Sequence, residues 1–253
     1  MSPLAIDLNA DVGEGAGHDE ELLALVSSAN IATGFHAGDA DSMRAAIVAA
    51  GRQGVAVGAH PSLFDRENFG RKEMRVDPAE VFDAVSYQLG VFQAIAEAAG
   101  VRPVHVKPHG ALYNMGSRER ALAEAVVRAV LEVDRALILF APPRSQLALA
   151  GQAAGLQIAR EFFADRNYLA DGSLVSRTRA DALLYDPGAA AVRVLRMLRE
   201  GRVQSIEGSM VDMRADTICL HGDNPGAVDF ARALRSALQK ENVCIRSPGA
   251  SHD

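Results

Sequence analysis

The sequence predicts a closed (β/α) barrel of about seven parallel strands, and three features carry that expectation. Strand-like and amphipathic helical runs alternate along nearly the whole chain. Several strand-like runs carry one apolar and one polar edge when read at the two-residue period of a strand. In nearly every such run, the group able to do chemistry falls at the C-terminal end. Strands of an open doubly wound sheet are covered on both faces and read as near-continuous apolar stretches. Only residues 136–141 read that way. A repeated polar edge instead fits the lumen and mouth of a barrel whose apolar outside is covered by helices. The 253 residues suit a single domain over 1–253, because such barrels take ~250 residues.

In the first run, residues 4–11, Ile6, Leu8 and Ala10 oppose Asp7, Asn9 and Asp11. A helix is expected over 19–28, with Asp19, Glu20 and Glu21 in the first turn, where the helix dipole favours acids. Residues 29–36 put Asn30, Ala32, Gly34 and His36 on one edge and lead to a helix over 41–53, with Asp41 or Ser42 as its N-cap. Residues 55–60 align Ala56, Gly58 and His60. A long loop then reaches a helix over 78–99, capped by Asp77 with Pro78 in the first helical position. Residues 103–109 set Val104 and Val106 against His105, Lys107 and His109, before a helix over 117–132. A strand at 135–141, a helix at 145–154, a less regular segment at 156–163 and a helix at 188–201 follow. In the last strand, 216–222, Ile218 and Leu220 oppose Thr217, Cys219 and His221, and a helix over 225–240 completes the pattern.

A composition of 49% hydrophobic and 23% charged residues is that of a soluble globular protein. The formal charge of −6 and pI near 5.7 argue against a nucleic-acid partner, which requires a basic face. Cys219 and Cys244 form no disulfide framework and read as buried hydrophobes in a reducing compartment. The N-terminus shows no signal-peptide pattern, and the apolar runs, such as 147–150 and the stretch 121–127 interrupted by Glu124, fall short of the ~20 residues of a membrane span. No membrane is expected, and the cytoplasm is the expected location.

The densest chemical signal is His105-Val-Lys107-Pro-His109. Cationic groups crowded on one strand face repel one another, so their pKa values should fall, and Lys107 could serve as general base or anion clamp. Asp11, His36 and His60, each ending a strand, make a candidate one-carboxylate, two-imidazole metal site, with Asp7, His109 and His221 as further donors. The divalent ion could be Mg or Zn. The loop over 61–72 brings Arg66, Arg71 and Lys72, suited to a carboxylate or phosphate. Asp165, Arg166 and Arg177 follow another strand, and His221-Gly-Asp223-Asn-Pro-Gly forms a polar turn before a helix N-terminus. No GxxxxGK[ST] or strand-linked GxGxxG phosphate loop occurs, and no GxSxG elbow.

Together these segments resemble the LamB/YcsF family. The resemblance rests on Asp7-Leu-Asn-Ala-Asp11-Val-Gly-Glu14, Asn30-Ile-Ala-Thr-Gly-Phe-His36 with Asp39, and Gly58-Ala-His60-Pro-Ser. It continues through Asp65-Arg66, Phe69-Gly-Arg71, His105-Val-Lys107-Pro-His109-Gly-Ala-Leu-Tyr113, Phe163-Ala-Asp165-Arg166 and Thr217-Ile-Cys-Leu-His221-Gly-Asp223. Thr33 stands where the family usually has Cys, so no essential thiol is expected there, and the stretch from Gly15 to Asp19 is shorter than usual. The resemblance implies a barrel of the glycoside hydrolase/deacetylase type. It also implies the A component of a three-part 5-oxoprolinase, which converts 5-oxo-L-proline to L-glutamate with ATP as cosubstrate and partner subunits B and C.

On that reading Asp11, Lys107 and His109 are the catalytic residues. Asn9, His36, Arg66, Arg71, His105, Asp165, Arg166, His221 and Asp223 surround the substrate. Asp11 or His109 would activate water, and Lys107 would face the developing oxyanion. Two alternatives stand beside it: a metal-dependent carbohydrate deacetylase or amidohydrolase acting alone, and a non-catalytic substrate-binding subunit. The sequence also leaves a homo-oligomer open.

Overall fold

The computed structural model describes residues 4–221 and 226–250. Seven parallel strands close a barrel: β1 (Ala5–Val12), β2 (Ser28–Ala32), β3 (Ala56–His60), β4 (Pro103–Val106), β5 (Ile138–Ala141), β6 (Ile158–Phe163) and β9 (Thr217–Leu220). Closure is made by β9, which pairs with β6 on one side and with β1 on the other. The antiparallel pair β7 (Arg202–Gln204) and β8 (Met210–Asp212), and β10 (Cys244–Ile245) against β1, are additions that the alternating pattern does not announce.

The two-residue alternation holds. Ile6, Leu8 and Ala10 pack into the hydrophobic core, while Asp7, Asn9 and Asp11 are buried and hydrogen-bonded across the lumen. The helices are α1 (Asp19–Leu23), α2 (Ala40–Arg52), α3 (Pro78–Ala98), α4 (Gly110–Arg118), α5 (Arg120–Val133), α6 (Gln146–Ala153), α7 (Pro187–Glu200) and α8 (Ala227–Lys240). Asp77 caps α3 in a capping box with Glu80, and Pro78 opens it, as the sequence predicts. At α2 the cap is Asp39, in a box with Ser42, rather than Asp41 or Ser42 itself.

Two expectations need correcting. The helix expected over 19–28 ends at Leu23, because Ser28 already belongs to β2, where its hydroxyl bonds Asp7. The helix expected over 117–132 is two helices broken at Glu119, whose φ of −107° and ψ of 110° are extended. Gly110 begins the first of them at φ 55°, a conformation that favours glycine, and a Cβ there would strike the Gly70 carbonyl. That close approach fixes the 61–72 loop over the mouth of the barrel.

Candidate active site

At the base of the lumen Asp7 accepts hydrogen bonds from Ser27, Ser28 and Thr217 at 2.7, 2.7 and 2.5 Å. Burial outweighs them and pushes its carboxyl up to about 6. Above it, Asn9 donates to Glu161 (3.1 Å) and Thr217 (2.6 Å) and accepts from Asn30 (2.7 Å). His105 Nε2 meets Asn30 Oδ1 at 2.8 Å, and its ring stacks on Phe140 with centroids 4.2 Å apart. Burial, then Lys107, hold His105 down at about 3, so it is neutral. Asn9 and His105, both expected around substrate, therefore lie in the lumen beneath the mouth. There they brace their neighbours.

Lys107 sits one step higher and is 2% exposed. Its Nζ donates to Asp11 Oδ1 at 2.8 Å and to Cys219 Sγ at 2.9 Å, and lies 3.2 Å from Glu161 Oε1. Burial alone would lower its pKa; Asp11, with Cys219 and Glu161, instead raises it well above the usual lysine range. The expectation of a depressed lysine is thus reversed, because these neighbours together outweigh burial. Held toward its charged form by these acids, Lys107 is better suited to clamp an anion than to act as a general base. Asp11 shows the complement: burial would raise it, yet Lys107 and His60 hold it well below the usual carboxylate range.

At the mouth, His36, His60, His109 and Glu14 offer ligand atoms that all lie within 4.8 Å of one another. His60 Nδ1 donates to the Lys107 carbonyl (2.6 Å) and His109 Nε2 to the Phe69 carbonyl (2.8 Å). Their remaining nitrogens face each other at 2.9 Å, and Glu14 Oε1 is 3.9 Å from the first and 3.6 Å from the second. His36 Nε2 is 3.1 Å from the same Glu14 oxygen, while its buried Nδ1 has no partner among the described residues. Burial, followed by the charge of His60, keeps His36 down at about 2, and burial also lowers His109. Two lone-pair nitrogens in contact require a shared proton or a cation. Three imidazoles and one carboxylate fit a divalent ion of the zinc type better than magnesium, which prefers oxygen donors. The carboxylate of this group is Glu14, whereas Asp11 is engaged by Lys107, and His109 joins it. Of the expected metal triad, His36 and His60 lie in this group and Asp11 borders it, with Oδ2 3.4 Å from His60 Nε2.

The rim is built by two loops. His221 Nδ1 bonds Asp165 at 2.8 Å, and the His221 ring stacks on Phe163. Burial lowers the His221 pKa. Arg166 is buried, donates to the Val175 carbonyl at 2.5 Å and leaves its Nε without a partner among the described residues. Burial and the neighbouring Arg177 bring Arg166 down to about 10. Arg71 lies over the Phe69 ring at 4.7 Å. Arg66 is taken up by the carbonyls of Gly34 (2.6 Å) and Gly38 (2.8 Å), so it ties loops together rather than standing ready for a ligand. Thr33 bonds Gln88 Oε1 at 2.7 Å, a structural role that needs no thiol. Asp223 lies outside the described residues.

Sequence reading missed Glu14, Glu161 and Tyr113 as members of the site. Glu14 was legible, since it follows closely on the end of β1. Glu161 faces the lumen from a strand whose irregular pattern hid its phase, and accepts from Tyr113 at 2.7 Å.

Fold and site together define a seven-stranded (β/α) barrel with a histidine–carboxylate cluster and a buried Lys–Asp pair at the C-terminal ends of its strands. The model of the LamB/YcsF family matches residues 6–252, and the chain belongs to that family. It is similar to a lactam utilization protein from Thermus thermophilus, at 44% identity over 97% of this chain and 100% of that one, with a TM-score of 0.91. A T48 deacetylase, 12% identical over 96% of this chain and 88% of its own, has a TM-score of 0.52 and shares the fold.

Proposed function

We propose that this chain is the lactam-opening subunit of an ATP-dependent 5-oxoprolinase that acts on 5-oxo-L-proline with partner subunits B and C. The observation that carries the reading is the fixed Lys107–Asp11 pair beside the Glu14, His36, His60 and His109 cluster, in a family member similar to a lactam utilization protein.

Glu14, His36, His60 and His109 would hold a divalent ion, and such an ion supplies Lewis acidity toward an amide oxygen or a water. The chain's own residues supply the rest. Lys107 keeps a positive charge where negative charge would develop on the carbonyl oxygen. Asp11 fixes that ammonium and remains ionised while doing so. His221, bonded through Nδ1 to Asp165, is left with Nε2 for a ligand. As a neutral imidazole it would take a proton from the attacking water and return it to the lactam nitrogen as the C–N bond breaks. Arg71, Arg166 and Arg177 give the rim the positive charge that a substrate carboxylate requires. An unstrained five-membered amide is stable, which accounts for coupling to ATP in the complex.

The test is glutamate release from 5-oxoproline by this chain with its authentic partner subunits. Release should need ATP and all subunits, and its complete absence would sink the proposal. The metal cluster favours one other reading, an amidohydrolase acting alone. That reading requires turnover by the isolated chain without ATP, lost on chelation.

A further inference from the structure

The ammonium of Lys107 contacts two members of a second group of metal-type donors. Asp11, Cys219 and His221 offer ligand atoms within 4.8 Å of one another. Nζ is 2.8 Å from Asp11 Oδ1, 2.9 Å from Cys219 Sγ, 3.2 Å from Glu161 Oε1 and 3.4 Å from Asn9 Oδ1. These residues come from three strands, β1, β6 and β9, and Asn9, Glu161 and Cys219 are all buried. Oxygen, sulfur and nitrogen donors in one cage make a set that zinc and cadmium accept readily. The cage also joins the histidine cluster directly: the other Asp11 oxygen, Oδ2, is 3.4 Å from His60 Nε2. One carboxylate thus faces a cation position on each side. That is the plan of two-metal hydrolytic centres, whose ions sit ~4 Å apart across shared ligands.

We infer that the mouth is a two-cation centre in which the Lys107 ammonium permanently fills the second position, leaving a latent metal site formed by Asp11, Cys219, His221 and Glu161. The inference rests on the metal reading of the histidine cluster, but it makes a separate claim about Lys107. A side-chain ammonium cannot dissociate, so the second positive charge is independent of metal supply. It also cannot ionise a bound water, which confines that position to electrostatic work. Removing the ammonium leaves buried anionic groups without compensation, a strongly destabilising arrangement that a divalent ion can repair.

The experiment uses the metal-stripped full chain, titrated with cadmium in a Cys244→Ser background, because Cys244 is an exposed thiol. The chain with Lys107 intact should bind one equivalent with no thiolate-to-cadmium charge-transfer band. Lys107→Ala should bind two equivalents and show the band, and adding Cys219→Ser should abolish it. Since Lys107→Ala will be less stable, its thermal midpoint is followed in parallel and should recover with cadmium only while Cys219 is present. A thiolate band with Lys107 intact would overturn the inference, as would Lys107→Ala showing neither band nor recovery. Absence of the first equivalent would overturn the two-cation reading as well, whereas failure of glutamate release would count against the proposed function and not against this cage.

Discussion

Individual side chains in the lumen are set by their neighbours more than by their own type. Lys107 and His105 are two residues apart on one face, yet one is held charged and the other neutral. Acids surround the lysine, whereas an amide and a phenyl ring surround the histidine. Asp11→Asn should therefore cost about 3–5 kcal/mol, the usual penalty for breaking a buried ion pair, measured by urea unfolding against the parent chain. Asp7 gives a prediction with a sign. Its folded pKa of about 6 lies above the ordinary value of 3.8, so folding favours the protonated form. Its contribution is fully present below pH ~4 and is lost as pH rises through ~6, a swing of about 3 kcal/mol. Asp7→Asn should flatten the stability profile across that window, and an unchanged slope would show that Asp7 is not the cause.

At the level of elements, the strand phases were readable because every second residue of β1, β4 and β9 changes character sharply. Caps were readable where sequence chemistry is local, as at Asp77 and Pro78. The break at Glu119 was not, although Gly116 and Ser117 just before it are weak helix formers. The metal-capable group was legible only in part, since Glu14 and His109 reach His36 and His60 through loop paths that no spacing encodes. The loop over 61–72 shows why. Phe69 holds φ 55° while its carbonyl accepts from His109, and Gly70 packs so closely that an added Cβ would lie 2.7 Å from His36 Cβ. Gly110→Ala, which collides with the Gly70 carbonyl oxygen, should push this loop outward. An added Cβ at positive φ costs ~1–3 kcal/mol, and zinc affinity measured by competition with a chelator should fall at least about tenfold.

For the whole molecule, ligand linkage provides the broadest check. If the histidine cluster takes zinc, excess ion should stabilise the folded chain by RT ln(1 + [L]/Kd), about 4 kcal/mol at a thousandfold excess over Kd. Chelator should reverse the rise in thermal midpoint, and His60→Ala should eliminate it. The barrel as a class was fully legible, since alternating elements and polar strand edges admit few other solutions. Its additions were not: β7, β8 and β10 are two or three residues long, too short to carry a periodic signal.

Closure of the sheet has a consequence for biosynthesis. β1 is made first, yet its neighbour β9 begins at Thr217 and its other late partner, β10, at Cys244. A ribosome adding ~5–20 residues per second leaves that edge of β1 unpaired for some 10–40 s. An exposed strand edge during such a delay invites pairing with other nascent chains. Asp7, Asn9 and Asp11, later the floor and wall of the site, are hydrophilic through that interval and make β1 a poor template for aggregation. The residues that equip the finished barrel for chemistry thus also protect the unfinished one, and replacing them with apolar residues should lower soluble yield before it alters any assay.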